Sequence, residues 1–112
     1  MKIKLLITLI LAVSLLNGCA KPNSHPMDMT QAVQSASSKA DHVALAEHYE
    51  ETAAEMQLKV DEHTKLLAQY QAKGYLYGKQ ADDLKAHCER LIHIYEKAVE
   101  ENLSMAKMHR SM

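Results

Sequence analysis

The chain has 112 residues, room for one small domain, which excludes large multidomain enzymes, repeat solenoids and multi-span membrane proteins. A formal net charge of -1 with 24% charged residues gives no basic footprint, so nucleic acid is not expected as a partner. Three Gly, two Pro and aromatics at 4%, all of them Tyr, leave too little turn chemistry for a many-stranded β fold.

In chain order, Lys2 and Lys4 make a positive start, and Leu5 to Leu16 is apolar apart from Thr8 and Ser14. Twelve residues rise about 18 Å as a helix, short of the roughly 30 Å hydrocarbon core, so the run reads as an export-signal h-region and not a membrane span. It stops at Leu16-Asn17-Gly18-Cys19. This motif resembles the lipobox of bacterial lipoproteins, with Leu three before the Cys and a small residue directly before it. Asn17 departs from the small or apolar residue usual at its place. The resemblance implies a signal peptide over residues 1–18 and Cys19 as the first mature residue. It implies diacylglycerol, with acyl chains of the palmitate kind, on the Cys19 thiol and a third chain on its new amine. Residue 20 is Ala, not the Asp of inner-membrane retention. The implied destination is the outer membrane, lipid-anchored and facing the periplasm of a Gram-negative host. Without residues 1–18 the chain carries 11 basic and 14 acidic side chains, a net charge of -3, which argues against electrostatic binding to anionic lipid.

Residues 19–38 read as a lipidated flexible tether, with Pro22, Asn23, Pro26 and a Ser35-Ala36-Ser37-Ser38 run. Thr30 to Gln34 has the composition for a helical turn. Residues 39–112 read as an all-α domain. Lys39 to Lys73 and Lys79 to Met112 contain neither Gly nor Pro, and Gly74-Tyr75-Leu76-Tyr77-Gly78 separates them. The pattern predicts a long antiparallel two-helix hairpin, coiled-coil-like, with a glycine C-cap and a tight reversal at Tyr75 and Leu76. Ser38 with Asp41 predicts a capping box. Asp82 and Asp83 at the start of the second helix, and Lys107 and Arg110 at its end, complement the helix dipole.

Both helices carry an apolar stripe: Leu45, Ala46, Tyr49, Ala53, Met56, Val60, Leu66, Leu67 and Tyr70, then Leu84, Leu91, Ile92, Tyr95, Ala98, Val99, Met105 and Ala106. A repeat of His or Cys, Leu three later and Tyr seven later lies on it: His42-Leu45-Tyr49, His63-Leu66-Tyr70 and Cys88-Leu91-Tyr95, with Asn102-Met105-His109 degenerate. Folding at Tyr75 and Leu76 sets His63 level with Cys88, His42 with His109, Met56 with Tyr95, Tyr49 with Asn102 and Val60 with Leu91. The part from about residue 40 to 110 resembles small exported helical proteins with recurrent His-x-x-Leu/Met-Ala and His-Cys motifs, a resemblance that implies no particular function. A two-helix hairpin of this size buries little surface. Self-association to a homodimeric four-helix bundle, or docking on an envelope protein, is therefore expected.

Seven His, seven Met and the mature Cys88 carry the available chemistry. His63 with Cys88 and His42 with His109 form the polar or soft layers, and His87 flanks the seam. Met105, Met108, His109 and Met112 recur at helical spacing. Thioether, imidazole and thiolate together suit Cu(I). The candidate metal ligands are His63, Cys88, His87, His42, His109, Met105 and Met108, set against the commoner roles of Met as core filler and His as a boundary residue. No catalytic residues are expected. Gly-rich phosphate loops, Gly-x-Ser-x-Gly, His-Glu-x-x-His and Cys-x-x-Cys do not occur. Adjacent carboxylates such as Glu50-Glu51 diverge on a helix. Two functions follow: a membrane-anchored interaction or structural module, or a periplasmic soft-metal binder.

Overall fold

A computed structural model describes residues 27–112; the expected signal peptide over residues 1–18, the expected lipidation site Cys19 and His25 lie outside the described residues. The described chain is all-α: α1 Met29–Ser35, α2 Lys39–Ala72 and α3 Ala81–Arg110. Within the stretch expected to be a tether, α1 forms two turns because the Asp28 carboxylate accepts from the Gln31 backbone N–H at 3.2 Å.

The start of α2 is fixed by its sequence. Ser38 Oγ accepts from the Asp41 N–H at 3.2 Å, and Asp41 Oδ2 accepts from the Ser38 N–H at 2.8 Å. The same carboxylate takes the Ser37 N–H at 3.0 Å. These donors satisfy groups that a helix start leaves orphaned. They hold the Asp41 carboxyl well below its ordinary value, at about 2, the Ser37 backbone bond contributing most. At the far end of α3, Lys107, His109 and Arg110 fill the last turn, opposite in sign to the dipole's negative pole.

The reversal departs from the expected glycine cap. Lys73 ends α2 in a non-helical conformation, its N–H donating to Gln69 O. Two successive 3-10 turns follow, Gly74–Leu76 and Gly78–Gln80. The left-handed residue is Gly78, at φ 55, and not Gly74. A side chain at Gly78 would meet nothing, so its conformation alone asks for glycine there. Tyr70 and Tyr77 pack edge to face over the turn, ring centroids 5.0 Å apart. The midpoint of the connection falls between Leu76 and Tyr77, one residue later than the sequence suggests.

With 34 and 30 residues, α2 and α3 run about 50 and 45 Å side by side. Their contact obeys a seven-residue rule. On α2, Ala46, Ala53 and Val60 are buried, and His42, Tyr49, Met56, His63 and Tyr70 are half-buried. On α3, Cys88 is buried and Tyr95, Asn102 and His109 are half-buried. A strict repeat of seven keeps one seam facing the partner helix. The buried residues are Leu45, Ala46, Ala53, Val60, Cys88 and Ala106, of which Leu45 is the largest at 2% exposure. Most of these are small, so the helices close tightly over a thin core. The rest of the stripe, including Met56, Leu66, Leu67, Leu84, Leu91, Ile92, Val99 and Met105, is only half covered.

Candidate functional site

The open end of the hairpin brings together the first turns of α2 and the last turn of α3. His42 lies just past the capping box, its N–H donating to Ser38 O at 3.2 Å. His109 lies in the last turn of α3. Their Nδ1 atoms meet at 3.2 Å, part-buried. The ring centroids are 5.4 Å apart with 20° between the planes. The centroid separation equals the nitrogen–nitrogen distance plus about one ring radius on either side. The imidazoles are therefore edge to edge, nearly coplanar, with the two Nδ1 atoms head-on along the line between the rings. One ring donates an N–H and the other accepts, so at least one of the pair is neutral in this contact.

Tyr49, one heptad beyond His42, lies parallel to the His109 ring, centroids 5.6 Å apart and planes at 10°. His48 meets the edge of Tyr49 at 5.9 Å. Beside this group Arg110 donates twice to the Glu50 carboxylate, Nε to Oε1 at 2.8 Å and Nη2 to Oε2 at 2.7 Å. The hydrogen bond from Arg110 is the main reason the Glu50 carboxyl titrates below its ordinary value. This forked pair fixes register more than stability, since both side chains remain over 40% exposed. Met105 is half-buried, whereas Met108 and Met112 are exposed.

The expected level of His42 with His109 is thus present. Along the seam the Tyr49 ring also neighbours that of His109, and the His63 ring neighbours that of Tyr95, centroids 5.7 Å apart and planes at 19°. Midway along the hairpin, His63 Nδ1 is buried with no hydrogen-bond partner among the described residues. Cys88 is buried with no disulfide partner, and burial pushes its thiol above the ordinary range. The group is held as the neutral thiol, the less reactive form. His87 and His93 are exposed on the outer side of α3.

Among the described residues, no three His, Cys, Asp or Glu side chains converge as a metal cage. The closed four-ligand arrangement of a structural zinc site is therefore not built there. An open groove along the outer face of α3 is lined by Ala86, Glu89, Arg90, His93 and Ile94. No helix among the described residues is long and apolar enough to cross a membrane. The Glu50–Arg110 clasp and the Tyr49 shelf were not readable from the sequence as site residues. Nothing but the true register shows that residues 50 and 110 meet.

No family model matches the chain, and comparison with curated proteins and with solved structures finds no match.

Proposed function

We propose that the chain is a lipoprotein anchored through acylated Cys19 to the periplasmic face of the outer membrane, where its helical hairpin serves as an interaction module. The observation that carries the reading is the half-covered stripe. Two helices bury six residues between them and leave the remaining apolar stripe positions partly open, with Leu58 at 67%, Ile94 at 57% and Leu103 at 49% exposure besides. A hairpin with that much apolar surface gains by covering it with further helices. A second copy is the simplest cover and gives an antiparallel four-helix bundle. Another helical envelope protein is the alternative occupant.

Sedimentation of the full chain in detergent, over a range of concentrations, tests the association. A two-chain species is expected. The double variant Leu58→Glu, Ile94→Glu should dissociate it without loss of helicity, since both side chains are exposed in the single hairpin. Monomer at every concentration would sink self-association and direct the search to cross-linking with envelope proteins. Intact mass of the membrane-extracted protein tests the anchor. A diacylglyceryl adduct lost in Cys19→Ser supports it, and an unmodified Cys19 refutes it.

The second reading is a periplasmic soft-metal binding protein. The observation that favours it is the head-on contact of His42 and His109.

A further inference from the structure

We propose that His42 and His109 form a two-coordinate site for a soft monovalent cation, Cu(I), held between their Nδ1 atoms. The proposal rests on the soft-metal reading and is independent of lipidation and of self-association.

The geometry selects the coordination number. Tetrahedral divalent sites need three or four donors whose lone pairs converge on one point. Here the two nitrogens point at each other along one line, and no third His, Cys, Asp or Glu among the described residues completes a cage. Opposed donors on a line are the arrangement that a filled-shell monovalent ion accepts. Imidazole and thioether both suit copper, the thioether its monovalent state.

The site also has room to open. On the scale of a zinc–imidazole bond, about 2.0 Å, two opposed metal–nitrogen bonds set the nitrogens about 4 Å apart. They stand at 3.2 Å, so the rings need to part by less than an ångström. His42 sits in the second turn of α2 and His109 at the penultimate residue of α3, where side chains are only half-buried and one rotamer adjustment suffices. Tyr49 neighbours the His109 ring on a nearly parallel plane, centroids 5.6 Å apart.

Charge and proton accounting are consistent. Without an ion, one ring carries the Nδ1 proton that bridges the pair. On binding, that ring moves its proton to Nε2, both Nδ1 lone pairs bind the ion, and no proton need leave the protein. The single added positive charge falls beside Asp41, whose carboxylate faces His42, and near Glu47 and Glu50, the latter already paired with Arg110. The buried Cys88 thiol, two-thirds of the way along the hairpin from this end, is the competing soft group that the test must separate.

The test uses the full chain in detergent with Cys19→Ser, handled without oxygen, titrated with Cu(I) against a chromophoric chelator. Ag(I), which mimics Cu(I) without redox chemistry, is followed in parallel by nitrogen NMR of the imidazoles. One ion per chain is expected, with coordination shifts at Nδ1 of His42 and His109 and at no other ring nitrogen. His42→Ala or His109→Ala should each lower affinity by more than the roughly tenfold to hundredfold that loss of an outer-shell partner costs. His87→Ala and Cys88→Ala should leave it unchanged. Because the NMR measurement uses the unaltered pair, misfolding of an alanine variant does not blur the result. Retention that survives His42→Ala and His109→Ala but fails in Cys88→Ala overturns this site while leaving the soft-metal reading standing. The absence of any retention against the chelator overturns both.

Discussion

Leu45→Ala is the substitution that most directly weighs the hairpin core. Leu45 is 2% exposed and is the largest fully buried side chain of the described residues. Ala46, Ala53 and Ala106, the other buried residues of the seam toward the open end, are small, so much of the buried apolar volume there belongs to Leu45. Leu-to-Ala changes in packed cores cost about 2–5 kcal/mol, the spread depending on how far the surroundings collapse. A seam walled by only two helices closes more readily than a deep core, which places the expected cost near 3 kcal/mol. Native domains hold about 5–15 kcal/mol in total, and a thin hairpin lies at the low end of that range. The variant should therefore lose most of its stability. Urea unfolding followed by helical circular dichroism, repeated at several protein concentrations, reads the change through the midpoint. Leu58→Ala, 67% exposed on the same helix, is the reference and should shift stability by less than about 0.5 kcal/mol. The reasoning fails if Leu45→Ala costs no more than Leu58→Ala at a concentration where the protein is monomeric. Equal costs only at concentrations where the chain associates would place Leu58 in the interface between copies.

Two further predictions follow from titrating groups. The Asp41 carboxyl is lowered to about 2 in the folded chain from an ordinary value of 3.8, by its bonds to Ser37 and Ser38. A depressed carboxyl contributes stability above its unfolded value and loses it as pH falls toward the folded one. Acid titration should therefore melt the start of α2 between about pH 4 and pH 2, and Asp41→Asn should remove that part of the profile; an unchanged profile would show that the box carries no linkage. For Cys88, burial and the raised thiol predict that a thiol reagent at pH 8 reacts slowly with the folded chain and rapidly in urea. Rapid labelling without denaturant would place the thiol outside the seam.

How much was legible beforehand differs element by element. The capping box was readable because its partners are three residues apart and need nothing but local geometry. Both long helices were readable because seven-residue spacing and a lack of Gly and Pro act within one chain segment. The His42–His109 level was readable because both residues lie at the extremes of a symmetric fold, where any antiparallel pairing brings the ends together. The ring partners of Tyr49 and His63 were not. A seam residue packs between two neighbours seven apart on the facing helix, and sequence heights cannot say which of the two a ring will touch.

The sequence alone determined that this chain is helical, where its long helices begin and end to within two residues, and which stripe of each faces inward. Those are consequences of caps, periodicity and the positions of glycine, all local. Tertiary structure alone decided the path of the turn, with Gly78 rather than Gly74 in the left-handed conformation. It also decided the Glu50–Arg110 clasp and the head-on approach of the two imidazoles. Each depends on the offset between two rods about 45 Å long, which no local signal in either helix sets.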